Sequence, residues 1–349
     1  MNPTSPGTFA GSIPVSSPCG RRTLAVASLY SVALLVALVL IRRTAFGWWP
    51  TALLVFMPRS LLLLPIVPMI PPAIRSRRPS LAFVVLLDAW IVIGPIMGFA
   101  VPWRTLTAPA AEGPRIRIMT FNQASRRYDV EGLLRYVEGH EIDVVCFQEP
   151  APPPSLASTF GAGWHFDRHL RIASRHPIVR DFGRSAEVNK SNERYSVVLY
   201  RALIRHPDGF DFVVGSVHMP TPRRAYERLR AGDWDGVRSQ LAWWDEEAAR
   251  LFAVIGDAGR LPLLVGGDFN MPADYRTMAA TGSILPSAFD VAGWGYGFTR
   301  PTRFPWVRID HVIGSRQWAF ARSWVGPDFG SDHLPLIAEA VLVKGRAGQ

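Results

Sequence analysis

The chain changes texture at about residue 114. Before it, apolar residues come in long unbroken runs; after it, they come in short runs of strand or helix period, several ending in a polar cluster. The first long run, Thr23 to Ile41, is bracketed by Arg21-Arg22 and Arg42-Arg43. At about 1.5 Å per residue it reaches roughly 30 Å, the thickness of a hydrocarbon core. The second, Trp48 to Ile74, is interrupted by Pro58-Arg59 and four further prolines, and reads as one kinked span or a re-entrant hairpin. The third is Leu81 to Val101. Three transmembrane helices, over approximately 23–41, 48–74 and 81–102, are therefore expected within residues 21–104. A Ser-, Pro- and Gly-rich tail over 1–20, expected to be disordered, precedes them, and a short linker over 105–114 follows. An arginine in mid-membrane costs about 2.5–3.5 kcal/mol unless it finds a partner, and Asp88 is the expected partner of Arg59. Trp48, Trp49 and Trp103 mark the water–lipid interfaces.

From Arg115 onward the periods shorten. Arg115 to Phe121 alternates and reads as a strand, and Val130 to Glu138 places Val130, Leu133, Leu134 and Val137 on one helical face. Asp143–Phe147, Phe210–Val217, Pro262–Val265, Val307–Ile313 and Leu334–Val343 read as further strands. Tyr226 to Ile255 reads as mostly one long helix, with Leu229, Val237, Leu241, Trp244, Ala248 and Leu251 toward the core.

Composition adjusts this picture in one respect. Hydrophobic residues make up 48% and charged residues only 19%, a membrane-weighted balance. The basic excess of +10 suggests a nucleic-acid partner until it is located. Residues 1–114 hold nine Arg against Asp88 and Glu112, leaving 29 basic and 26 acidic side chains for the rest. Arginines flanking membrane spans explain that distribution better than a polyanion site. The Arg75, Arg77, Arg78 group points to the cytoplasm, which places residues after Trp103 outside the cell; Arg42-Arg43 argues the other way. Cys146 alternates with apolar residues and reads as a core thiol, and no disulfide framework is expected.

The polar clusters carry the chemistry. Asn122, Gln148-Glu149, His218, Gly267-Asp268-Phe269-Asn270 and Asp310-His311 each follow or sit in a strand-like run, and Gly330-Ser331-Asp332-His333 precedes the last one. A single Gly-Asp turn or a lone histidine is ordinarily structural, and His140, His165, His169, His176 and His206 read that way. His311 points to the face of its strand opposite Asp310 and is left out. The ordered set is what carries weight.

That set resembles the endonuclease/exonuclease/phosphatase superfamily over about Arg115 to Val343. The Gly-Asp-Phe-Asn and Ser-Asp-His signatures, in that order, are specific to it. The resemblance implies an α/β (α+β) fold, a four-layer sandwich of two packed mixed sheets with outer helices, forming a catalytic domain over 115–349. It implies hydrolysis of phosphoester bonds with Mg²⁺ or Mn²⁺. Glu149 matches the main metal ligand, with Asn122 contributing an oxygen or orienting that ligand, and Asp332 lying near a second metal position. Asp268 matches the residue that positions or deprotonates the attacking water, and Asn270 the one that holds a phosphate oxygen. His333 matches the proton-handling or transition-state-stabilising group and Asp310 the carboxylate that orients it. His218 is expected to hydrogen-bond the phosphate.

The expected partners are a phosphoester substrate, nucleic acid or phospholipid headgroup, and the lipid bilayer; no protein partner is inferred. The loop Gly295–Trp306 is expected to form a lip of the cleft. A non-enzymatic binding module on the same fold is the competing reading. A transporter ranks last, because the spans offer too little polar lining.

Overall fold

Parity along the strands sorts the residues of the second texture into layers, as the two-residue period of a strand requires. The computed structural model describes residues 18–44, 48–124, 128–149, 160–161, 163–184, 198–256 and 261–343. Six strands form one sheet in the order β10-β11-β1-β2-β4-β3, and five form the other in the order β5-β6-β7-β8-β9. In the first sheet β1 is Arg115–Asn122, β2 Val144–Gln148, β3 His165–Asp167, β4 Ile172–Ser174, β10 Trp318–Val325 and β11 Leu336–Leu342. In the second β5 is Ile178–Arg184, β6 Val198–Arg205, β7 Asp211–His218, β8 Leu263–Asp268 and β9 Asp310–Gly314. Both sheets are mixed, with parallel β1–β2 and β7–β8 pairs among antiparallel ones.

Even-numbered side chains such as Ile116, Ile118, Val144 and Cys146 meet Phe212, Val214, Leu264 and Val312 between the sheets. Odd-numbered ones go outward. Met119, Val145 and Phe147 pack under the helix Val130–Gly139, against Leu133 and Val137. Val213, Val217 and Val265 pack under the helix Trp234–Gly256, against Val237, Leu241 and Trp244. The expected four-layer sandwich is the observed architecture. The expected single helix from Tyr226 to Ile255 is two, Arg223–Arg230 and Trp234–Gly256. Gly232 breaks it at φ +72° and Asp233 caps the second piece by accepting the Gly236 N–H at 2.8 Å.

The N-terminal third builds an apolar bundle on the outer side of the second sheet. Its helices are α1 (Pro18–Thr44), α2 (Trp49–Phe56), α3 (Ile70–Arg75), α4 (Pro79–Ile91) and α5 (Trp103–Thr107), with a 3₁₀ stretch over Arg59–Met69 and a π turn over Val92–Ile96. Most of the expected disordered tail lies outside the described residues, and Pro18 to Gly20 already belong to α1. Gly20–Arg43 and Pro79–Ile96 are each long and apolar enough to cross a membrane.

The second run is bent at its break, the form that a kinked span and a re-entrant hairpin would both take. Its α2 portion is turned by 86° from Arg59–Arg75. The 59–75 piece spans about 31 Å, because a 3₁₀ helix rises about 2.0 Å per residue. Pro65 and Pro68 inside it cannot donate to an α-helical ladder.

Cross-contacts fix the directions of the three long pieces. Gly20 lies against Ser76 and Arg78, Tyr30 donates to the Leu62 carbonyl at 2.5 Å, and Ser31 donates to Asp88 at 2.5 Å. Thus α1 and α4 run parallel, with 59–75 returning between them. Arg21, Arg22, Arg75, Arg77 and Arg78 gather at the end remote from the sandwich.

Arg59 does not pair with Asp88. It lies at the sandwich end and makes a bidentate pair with Asp274, at 2.6 and 2.9 Å, plus bonds to the carbonyls of Ile96 and Val55. Asp88 sits along the bundle at Ser31, out of reach. Replacing Arg59 with methionine is expected to cost about 3–5 kcal/mol, because Asp274 loses its bidentate charge partner at a largely buried contact. Thermal unfolding of the full chain in detergent checks this. An unchanged midpoint would show that the pair does not hold the bundle to the sandwich.

Candidate active site

The polar strand ends converge because sheet registers put them on one rim. Across β7, β8 and β9, His218 stands opposite Asp268 and Asp268 opposite Asp310, three neighbours on the inner face. From the facing sheet, Asn122 ends β1, Glu149 follows β2, and His333 precedes β11, which pairs with β1. Gly267 makes the close approach possible: a Cβ there would lie 2.3 Å from the Val217 carbonyl oxygen. A Cβ on Gly266 would press within 3.2 Å of Thr120 in the other sheet.

The geometry is dense. His333 Nδ1 lies 2.9 Å from Asp310 Oδ2, and its Nε2 lies 3.8 Å from Asp268 Oδ2; all three side chains are about 1% exposed. Asn122 Nδ2 donates to Asp268 Oδ2 at 2.9 Å and reaches Glu149 Oε1 at 3.4 Å. The Asn122 side-chain Oδ1 accepts the Ala124 N–H, and its backbone carbonyl accepts the Ser331 hydroxyl. His218 Nε2 stands 3.9 Å from both Glu149 Oε1 and Asp268 Oδ2. Asn270 braces the same carboxylate: its backbone N–H donates to Asp268 Oδ1 and its amide to Asp268 Oδ2 and the Met219 carbonyl. Asp332 is half exposed, pairs with Arg300 at 2.9 Å, and has Oδ1 3.9 Å from His333 Nε2. Glu149 and Asn270 hold positive φ, +63° and +49°, conformations that cost side-chain residues energy and concentrate at functional sites.

Electrostatics separate the groups. Burial, with Asp310 adding to it and His333 opposing, pushes the Asp268 carboxyl up to about 6. Burial works against a charged His333, but the carboxylates of Asp310 and Asp268 outweigh it and lift the imidazole to about 9. Desolvation pushes His218 down to about 4, although Glu149 opposes it. A neutral imidazole, an ionised carboxylate and a protonated imidazole therefore coexist near neutral pH.

Asp268, Asp310 and His333 are compact enough for a cation, their candidate donor atoms all lying within 4.8 Å of one another. The imidazole is the weakest donor of that set, since Nδ1 is committed to Asp310 and the ring is held protonated. The oxygens fit better. Among the described residues Asp310 Oδ1 is buried with no hydrogen-bond partner, and Glu149 and Asp332 carry carboxylates at the same rim. The Asn122 amide nitrogen is turned to Glu149, and its amide oxygen is taken by the Ala124 N–H. Hard oxygen donors with room for water suit Mg²⁺ or Mn²⁺.

Two cations near the site carry no motif. Arg171, at φ +57°, acts on His218 electrostatically, and Arg300 holds Asp332. Behind the rim, Gln148 bridges the sheets, accepting from Thr120 and donating to Ser216 and the Cys146 carbonyl. Gln148 stood beside Glu149 in the sequence with no signal of that bridging role.

His311 faces the opposite side of β9, buried, with Nε2 on the Met271 carbonyl at 2.9 Å. Burial, then Arg308, pushes it down to about 4. An unfolded chain binds this proton near pH 6.5 and the folded one only near 4. Its stabilising effect is thus complete above about 6.5 and lost as pH falls toward 4, on the order of 3 kcal/mol. Denaturant unfolding of wild type and His311→Asn across pH 7 to 4.5 checks this: the variant should show the shallower acid loss.

The sequence profile of the Endonuclease/Exonuclease/phosphatase family matches residues 119–333. No curated protein matches the chain. Among solved structures, an endonuclease/exonuclease/phosphatase from Beutenbergia cavernae superposes with TM-score 0.50 at 18% identity, covering 66% of this chain and 72% of that one. A family protein from Bacteroides thetaiotaomicron gives 0.49 at 17%, covering 66% and 99%. A mannosyl-6-phosphatase from the same organism gives 0.47 at 16%, covering 65% and 100%. At 18% identity the first of these speaks to fold alone, and the profile match, which spans more than half of the chain, speaks to descent. The chain belongs to the endonuclease/exonuclease/phosphatase family.

Proposed function

We propose that this chain is a membrane-anchored, divalent-metal-dependent phosphoester hydrolase acting first of all on phosphodiesters, nuclease-like in mechanism. The observation that carries this reading is Asp268. It is a nearly inaccessible carboxylate braced by Asn122 and Asn270, with a protonated imidazole 3.8 Å away.

In this mechanism Asp268 orients the attacking water and takes its proton; raised to about 6, it is ionised at neutral pH yet more basic than a free carboxylate. His333, held by Asp310, gives its proton to the leaving oxygen or neutralises charge as the phosphoryl group transfers. His218, uncharged, hydrogen-bonds a phosphate oxygen. Asn270 reaches a second phosphate oxygen if its amide gives up the Met219 carbonyl. Glu149 and Asp332 are the residues proposed to hold Mg²⁺ or Mn²⁺, with the Asn122 amide orienting Glu149. When bound, such an ion supplies neutralisation and orientation of the phosphoryl oxygens.

The proposed topology places the five-arginine end of the bundle in the cytoplasm, which puts the sandwich outside the cell membrane. Protease accessibility in oriented cells checks that placement.

The full chain in detergent, with Mg²⁺ or Mn²⁺, tests the activity against DNA, RNA, sphingomyelin and an inositol phosphate. Turnover of one class, lost with EDTA and in Asp268→Asn, is the expected result. Silence across the panel from folded, Mn²⁺-binding protein would favour a binding module instead.

A further inference from the structure

One loop, Trp294 to Trp306, touches both the bundle and the catalytic rim. At its start Gly295 exchanges two backbone hydrogen bonds with Ala100, at the end of the last apolar run, at 2.7 and 3.0 Å. There Phe99 also meets Trp294 and Tyr296 edge-on. At its end the Trp306 indole donates to the Phe56 carbonyl of α2 at 3.3 Å. In between, Arg300 binds Asp332 and Thr302 donates to the Ser331 carbonyl, beside His333. The lip is thus fixed to the span ends at both of its own ends and to the site in its middle.

What it leaves outside is aromatic. Phe304 is 80% exposed and Trp294 66% exposed, with the exposed Arg303 beside Phe304. Trp103 and Leu106, just past the last apolar run, are equally bare. An aromatic tip beside an arginine, at the level where apolar spans end, matches the interfacial layer of a bilayer in both polarity and charge.

Resting on the hydrolase reading above, we propose that this lip seats the mouth of the cleft in the interfacial layer. The phosphoester it takes is then the headgroup of a membrane amphiphile, delivered laterally, rather than a soluble polyanion. The charge balance agrees: beyond residue 114, 29 basic side chains face 26 acidic ones, a weak attractor for nucleic acid.

The test uses the full chain in nanodiscs of phosphatidylcholine and phosphatidylglycerol. A fluorophore on F304C, in a Cys19→Ser background, reports depth. Quenching by spin-labelled lipid but weakly by aqueous iodide is expected; quenching by iodide alone overturns the seat, whatever the activity. In the same discs, hydrolysis of phospholipid is compared with that of its deacylated, water-soluble glycerophosphodiester and of an oligonucleotide. The lipid is expected to win, and Phe304→Ser should raise its apparent KM about tenfold with kcat little changed. Equal or better turnover of the soluble compounds overturns the amphiphile assignment and leaves the hydrolase reading standing. Turnover of none of them sinks the hydrolase reading and the substrate assignment with it.

Discussion

Replacing His333 with alanine is expected to lower kcat for phosphodiester hydrolysis by about 10²–10⁴-fold, the range removed with a positioned general acid or base. The expectation rests on where the imidazole sits. It is 1% exposed, bonded through Nδ1 to Asp310 and facing Asp268 through Nε2, so water cannot readily replace it. Asp310→Asn should also slow the reaction, since the ring would lose the carboxylate that orients and charges it. The informative case is the double variant. If Asp310 acts only through His333, the pair should be hardly slower than His333→Ala alone, because residues that work as a unit are strongly non-additive. Multiplicative losses would show that Asp310 acts on its own, and its unpartnered Oδ1 would be the place to look.

The second large effect is expected at Glu149. Glu149→Gln keeps shape and removes the charge, and should weaken Mn²⁺ binding by about 100-fold or more, at least the loss seen for outer-shell changes. Activity at limiting metal should fall in step and recover in part when metal is raised. Calorimetric titration with Mn²⁺ reads the affinity directly, with the exposed Glu131→Gln as the control. Unchanged affinity in Glu149→Gln would move the metal toward the Asp268, Asp310, His333 cluster, whose candidate donor atoms all lie within 4.8 Å of one another.

Much of the fold was legible because strands enforce parity. Once Val144-Val145-Cys146-Phe147 and Leu263-Leu264-Val265 read as buried strands, the polar residues after them had to lie at one sheet edge. The registers His218–Asp268 and Asp268–Asp310 complete that edge. The exclusion of His311 followed from the same alternation, and the residue faces Phe269 and Met271 on the outer side.

What escaped the sequence depended on distance along the chain or on backbone freedom. Arg59 finds its carboxylate 215 residues away, and no local pattern points to Asp274. The turning aside of α2 follows from its docking: Tyr226 bonds the Ala52 carbonyl, a contact with a distant helix. The break at Gly232 was a single glycine in a helical pattern, which period alone passes over. Arg171 carried no motif, since its part near His218 arises from a left-handed turn before β4.

The central claim is that the rim of Asp268, His333 and Glu149 hydrolyses phosphodiesters with a divalent cation. Release of nitrophenol from bis(p-nitrophenyl) phosphate by the full-length protein tests it most directly, because that small diester asks nothing of substrate recognition. The account predicts turnover with Mg²⁺ or Mn²⁺ that EDTA abolishes and that Asp268→Asn lowers by about 10²-fold or more. Turnover that persists undiminished in EDTA or in Asp268→Asn would contradict it.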